Sequence, residues 1–149
     1  MENQTIESRS VYSPEECMRR VAEAISRQDL DALTDCFEPD YDSEFPAHPE
    51  RAFRGHAAMR RNWSEIFGAV PDIETTIRTC IASGETVWVE WEWKGTRADG
   101  LPFLNRGVTI QGVPHGKIAW ARLYIEPVQT GGPSVGDLVG PRSEGGKNR

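Results

Sequence analysis

The hydrophobic period changes once along this chain, at Pro71, and that change constrains the fold more than any other feature. Before it, apolar residues recur three and four positions apart. Cys17, Met18, Val21, Ala22 and Ile25 share one helical face. Ser13-Pro14-Glu15-Glu16 ahead of them reads as a helix start, with Ser13 as cap, Pro14 in the first turn and Glu16 reaching back in a capping box. The spacing predicts a helix over 14–27. Asp29 caps a second, shorter helix in which Leu30, Leu33 and Phe37 share a face, and Pro39 stops it. A short strand over 41–45 and the loop PAHPERAFRG follow. Ala58, Met59, Trp63, Ile66 and Phe67 then give a third helix, from Gly55 to near Gly68.

Beyond Pro71 the period is two. Ile73, Thr75, Ile77, Thr79 and Ile81 alternate up to the turn Ser83-Gly84-Glu85. Strands over 87–96, 103–113 and 118–126 come next, separated by Ala98-Asp99-Gly100 and Pro114-His115-Gly116. Helices grouped ahead of strands predict an α+β fold, with three N-terminal helices packed on one face of a curved, mainly antiparallel sheet. At 149 residues the chain has room for one domain with a sizeable core. That domain is expected over 13–128, with residues 1–12 as a flexible start. The glycine-rich, aperiodic stretch 129–149 is expected to be a disordered tail.

Composition narrows the partners. Acidic residues outnumber basic ones 23 to 17, for a net charge of −6. Nucleic acid, which needs a cationic footprint, is therefore not expected as a partner. No apolar run approaches a membrane span, and MENQTIESRSVYS carries no apolar stretch of the secretory kind. Cys17, Cys36 and Cys80 are odd in number and far apart, and read as reduced thiols of a cytoplasmic protein. No three histidines or carboxylates share ligand spacing, so no metal is expected, and with no phosphate-cradling glycine loop no cofactor is expected either.

The stretch VWVEWEWKG, residues 87–95, divides its side chains between two faces. Val87, Val89, Trp91 and Trp93 form a wholly apolar set that must face the helices. Trp88, Glu90, Glu92 and Lys94 form the other. On the last strand Ala119, Ala121, Leu123 and Ile125 make the apolar set, against Trp120, Arg122, Tyr124 and Glu126. Trp88, Trp120 and Tyr124 thus share an outer face among charges, the pattern of a contact surface.

The element order, together with AISRQDLDALTDCFEPDYDSEF, FRGHAAMRRNWSEIF and GKIAWARLYIEPV, resembles the nuclear-transport-factor-2-like superfamily, and within it the SnoaL-like polyketide cyclases. The resemblance covers about residues 14–127. It implies a cone-shaped roll, a bent sheet wrapped round an apolar pocket that the helices close. It also implies back-to-back homodimers through the outer face. Counting back from Gly116-Lys117 as the family aligns, Asn105, Gly107 and Thr109 face the interior. The implied pocket is lined by Phe45, Trp63, Phe67, Trp91, Trp93, Asn105, Thr109 and Leu123, and suits a flat, largely apolar small molecule.

The family's catalytic constellations do not carry over. The isomerases' general-base aspartate falls on Phe45 and their first-helix tyrosine on Val21. The limonene epoxide hydrolases' arginine and aspartate fall on Trp91 and Trp93, and the last-strand aspartate on Leu123. A one-residue slip on the first strand would turn Asp42 or Glu44 inward, but Tyr41 and Phe45 are the better apolar set. His48 remains as a candidate acid–base, oriented by Glu44 or Glu50, with Asn105 as oxyanion support. His56 and His115 read as structural or exposed. Two functions stay open. One is a cofactor-independent cyclase, isomerase, lyase or hydrolase; the other is a non-catalytic ligand-binding or dimeric scaffold protein.

Overall fold

A computed structural model describes residues 11–141. Helix α1, Pro14–Ser26, begins on the expected capping box. Glu16 N–H donates to Ser13 Oγ at 3.1 Å, and Ser13 N–H donates to the Glu16 carboxylate at 3.4 Å. Its buried stripe is Cys17, Met18, Val21, Ala24 and Ile25. Gln28, at φ 53°, turns the chain, and Asp29 Oδ1 accepts from Ala32 N–H to start α2, Leu30–Asp35. The second helix is shorter than its apolar spacing suggested. Phe37 is not on its face but opens strand β1, Phe37–Glu44. Pro39 therefore sits inside a strand rather than ending a helix. It is tolerated because the ladder to the neighbouring strand is broken between Phe37 and Asp42, so its missing N–H is not called on.

The 45–52 loop, with a 3-10 turn at Pro49–Arg51, leads to the two-residue strand β2, Phe53–Arg54, and to α3, His56–Ala69. The remaining strands are β3, Glu74–Ser83; β4, Thr86–Thr96; β5, Pro102–Gly112; and β6, Ile118–Pro127. They form one sheet in the order β2-β1-β6-β5-β4-β3. Every pairing is antiparallel except β1 with β6, so the meander is extended by one parallel strand from the N-terminal half. The helices cover one face, burying α1 and Met59 of α3 against Val87, Val89, Trp91 and Ile125.

One parity expectation is corrected. Ile77 pairs with Trp91 but Thr79 pairs with Glu90, leaving Arg78 as an extra residue in β3. Because side chains alternate, one inserted residue exchanges the faces of everything after it. Cys80 and Ala82 turn toward the helices, and Thr79 and Ile81 turn outward, with Ile81 63% exposed. Gly107 has a steric reason to be glycine. A Cβ there would collide with the backbone of Tyr124 and Ile125 on β6.

Past β6 the stretch expected to be without order holds one helical turn, α4, Val135–Leu138. Ser134 and Asp137 cap it reciprocally, and Val135, Leu138 and Val139 stay exposed. Residues 1–10, most of the expected flexible start, and residues 142–149 lie outside the described residues. Among the described residues no helix is long and apolar enough to cross a membrane.

Candidate functional site

Strand pairing arranges the inner face of the sheet in rows. One row is Ser43, Ala121, Gln111 and Val87; the next runs through Leu123, Thr109 and Val89. Further along come Ile125, Gly107 and Trp91, then Asn105 and Trp93. Above these rows a cavity of about 200 Å³ is enclosed by α1, α3 and the 45–53 segment. The structure brings Phe45, Trp63, Trp91, Trp93, Asn105, Thr109 and Leu123 together around it. Two of the residues nominated from sequence do not line it, Phe67 and His48. Phe67 packs behind the wall, its ring 5.7 Å from that of Trp63. On β6, Ile118 rather than its neighbour Ala119 reaches the cavity.

The walls are aromatic and tilted against each other. Trp93 lies 5.4 Å from Trp63 and 6.2 Å from Trp91 between ring centroids. The polar groups among them are neutral. Trp91 Nε1–H donates to Thr109 Oγ1 at 2.8 Å, a cross-strand bond between buried partners. Gln111, 2% exposed, donates its amide to the carbonyls of Val87 and Thr109. Trp93 Nε1 is different: it is buried and has no hydrogen-bond partner among the described residues. Burial pushes the Tyr41 phenol above its ordinary value, a contact with Ser43 opposing and the charge of Asp42 adding, so it stays protonated at neutral pH.

Among the described residues, Arg51, at the mouth, is the one charged side chain on the lining. Asp42 is turned away and faces Arg54 at 3.4 Å, and Glu44 is exposed. The inward set on β1 is therefore Tyr41 and Ser43, continued by Phe45. His48 does meet a carboxylate, but neither Glu44 nor Glu50. Its Nε2 lies 2.6 Å from Glu126 on β6, with Arg51 at 3.9 Å from the same oxygen. That contact ties the 45–52 loop to the end of the last strand. His56 Nε2 meets the Phe37 carbonyl at 2.8 Å. Among the described residues no three His, Cys, Asp or Glu side chains stand together as metal ligands.

Of the polar lining residues, sequence reasoning missed Ser43, Gln111, Asn62 and Arg51. The first two were within reach of the parity argument. Ser43 stands between Tyr41 and Phe45, and Gln111 continues the set Asn105, Gly107, Thr109. Asn62, one position from Trp63 on α3, carried no signal of its own.

The outer face holds Trp88, 51% exposed, Tyr124, 41% exposed, and Ile81, which the bulge in β3 sets opposite Trp88. Trp120 is less available. Its ring lies over Gly112, where any side chain would strike it, and Arg122 stacks on it at 4.7 Å.

N-terminal helices on a bent, mostly antiparallel sheet, with a cavity between the layers, define a nuclear-transport-factor-2-like roll. Residues 18–121 match the SnoaL-like domain family, and the chain belongs to it. It is similar to IdmH from Streptomyces antibioticus, described as a proposed polyketide cyclase, at 19% identity and TM-score 0.69, over 77% of this chain and 93% of that one. A proposed isomerase from Bacillus subtilis matches at 22% identity and TM-score 0.68, over 76% of this chain and 86% of that one. A protein of ketosteroid-isomerase-like fold from Catenulispora acidiphila, in complex with trimethylamine, matches at 18% identity and TM-score 0.65, over 74% and 85%. No curated protein matches the chain by sequence. At these identities the likeness to solved structures is one of fold.

Proposed function

We propose that this protein takes a flat, largely apolar small molecule into the cavity. It acts on it without a cofactor, by holding it and polarising one of its polar groups. One observation carries the reading. Among the described residues, Trp93 Nε1 is a buried donor left without a partner, and Trp93 lines the cavity. Native interiors satisfy such groups, and a ligand seated in the cavity does so here. The fold is shared with proposed cyclases and isomerases, and one relative of this fold holds a small organic molecule.

The chemistry this lining supports is positioning and hydrogen-bond donation by neutral groups, with Asn105 as oxyanion donor. His48, held against Glu126, serves better as a strut of the mouth than as a base. The second reading, ligand binding without turnover, is favoured by a lining that, among the described residues, holds neither carboxylate nor imidazole. We also infer that two copies pair through the outer face at Trp88, Tyr124 and Ile81, with Trp120 at its margin.

The test is a tryptophan-fluorescence titration with planar ring compounds of one to three rings, followed by product analysis. Saturable quenching that Trp91→Phe and Trp63→Leu both weaken supports the pocket. Absence of quenching by every member at millimolar concentration overturns it. Conversion of a bound compound separates enzyme from binder.

A further inference from the structure

We propose that Arg51 receives an acidic group, so that the ligand is an aromatic acid with its ring inside the cavity and its carboxylate at the mouth. This rests on the small-molecule reading above and names the group the ligand has to present. The cavity opens into a second, shallower groove of about 600 Å³. Phe45, Arg51, Phe53, Asn62 and Ile66 line both spaces and so form the throat between them. Glu50, Glu65 and Arg61 line the outer groove alone. Among the described residues, Arg51 is therefore the one charged group that reaches both spaces.

Arg51 is also underused by the protein. Its ion-pair partner among the described residues is Glu126, at 3.9 Å, too long for a hydrogen bond. The same Glu126 oxygen is held by His48 Nε2 at 2.6 Å, so the loop histidine occupies the carboxylate that a guanidinium fork would otherwise take. A guanidinium stays charged at any ordinary pH, and its rigid fork of N–H donors matches a carboxylate with two bonds at once. Half-exposed at the throat, Arg51 can be reached by a ligand entering from solvent. Volume sets how far the acid stands from the ring. Benzene fills an apolar cavity of about 150 Å³, so one of about 200 Å³ takes a single ring with a short chain. The end of that chain then lies at the throat, beside Arg51 and the Asn62 amide. Deeper in, the polar groups are neutral, so the charge belongs at the throat and not at the floor.

The experiment compares 3-phenylpropanoate with 3-phenylpropanamide, matched in shape and different in charge, by ¹H–¹⁵N NMR titration at neutral pH, with Arg51→Gln assigning the Arg51 Nε–H signal. The native protein is expected to bind the acid about fivefold more tightly than the amide, the upper end for a half-exposed ion pair. That preference should shrink as salt is raised, and the Arg51 signal should move with the acid alone. Arg51→Gln should bring the two affinities level, a ratio taken within one variant so that any shift of the loop cancels. Arg51→Lys, which keeps the charge and loses the fork, should retain part of the preference, and Arg61→Gln should retain all of it. Equal affinity in the native protein, or a preference that survives Arg51→Gln, overturns the acid seat and leaves the pocket standing. A preference lost equally in Arg61→Gln overturns it too, because the effect then belongs to the general field of the surface. Failure of both compounds to bind at millimolar concentration overturns the pocket and the seat together.

Discussion

Trp91 on β4 and Thr109 on β5 are diagonal neighbours across the strand pair, and the indole N–H of the first meets the hydroxyl of the second at 2.8 Å. Two residues further along the same face, Trp93 has no such partner. A pair of tryptophans that looks uniform in sequence is therefore divided, one fixed by the protein and one left open to the cavity.

That bond is open to direct measurement. Thr109→Val keeps the shape of the side chain and removes the acceptor, leaving a buried indole N–H unpaired. Urea denaturation should show a loss of about 1–3 kcal/mol. In a Trp91→Phe background the same substitution should cost far less, because the two act as a pair. A loss in the native background near zero would mean that solvent in the cavity accepts the indole proton instead.

His48 and Glu126 provide a second test. If their contact holds the loop at the mouth, His48→Ala and Glu126→Ala should weaken ligand binding similarly. The double variant should be hardly worse than either single one. His48→Gln, which can still donate to Glu126, should recover much of the loss. A His48→Ala variant that binds normally but no longer turns ligand over would restore the histidine to the chemistry.

The outer face predicts an oligomer. Trp88 and Tyr124 present large apolar surfaces to solvent, with Ile81 beside Trp88. Sedimentation at micromolar concentration should find a dimer, and Trp88→Glu should convert it to a monomer of unchanged fold by circular dichroism. A native protein that sediments as a monomer rejects this surface.

Cys17 predicts a response to alkali. Burial, reinforced by neighbouring Cys36 and opposed by Arg20, pushes its thiol from 9.0 up to about 12. The folded state thus holds this proton more tightly than the unfolded chain. The stabilisation it contributes is complete below pH 9.0 and falls away as pH rises toward about 12. Tyr41, also raised by burial, acts in the same direction at higher pH. The midpoint of thermal unfolding should decline above pH 9, and Cys17→Ala should flatten that decline whatever its effect at neutral pH. An identical slope in the variant would assign the alkaline loss to other groups.

Much of this fold is legible in the amino-acid order, because local spacing and burial coincide. Ser13 to Ile25 reads as a capped amphipathic helix, and 87–93 reads as a strand whose apolar parity faces the helices. Both are what the structure contains. Asn105 and Thr109 could be placed inward only through the family resemblance, by counting back from Gly116-Lys117. Where local spacing and tertiary pairing part, sequence reading fails. Arg78 looks like one more residue in an alternating run, and only its pairing with β4 shows that it is extra and that Ile81 belongs outside. Pro39 reads as a helix stop until a gap in the ladder to β6 accommodates it within a strand. The partner of His48 lies far along the chain at Glu126, beyond any local pattern. The unpartnered state of the Trp93 indole N–H is non-local for the same reason. Period and propensity determine which way a side chain points. Whether an acceptor or an empty space waits there depends on what distant segments bring to the same place, and that is settled only when the sheet and helices close on one another.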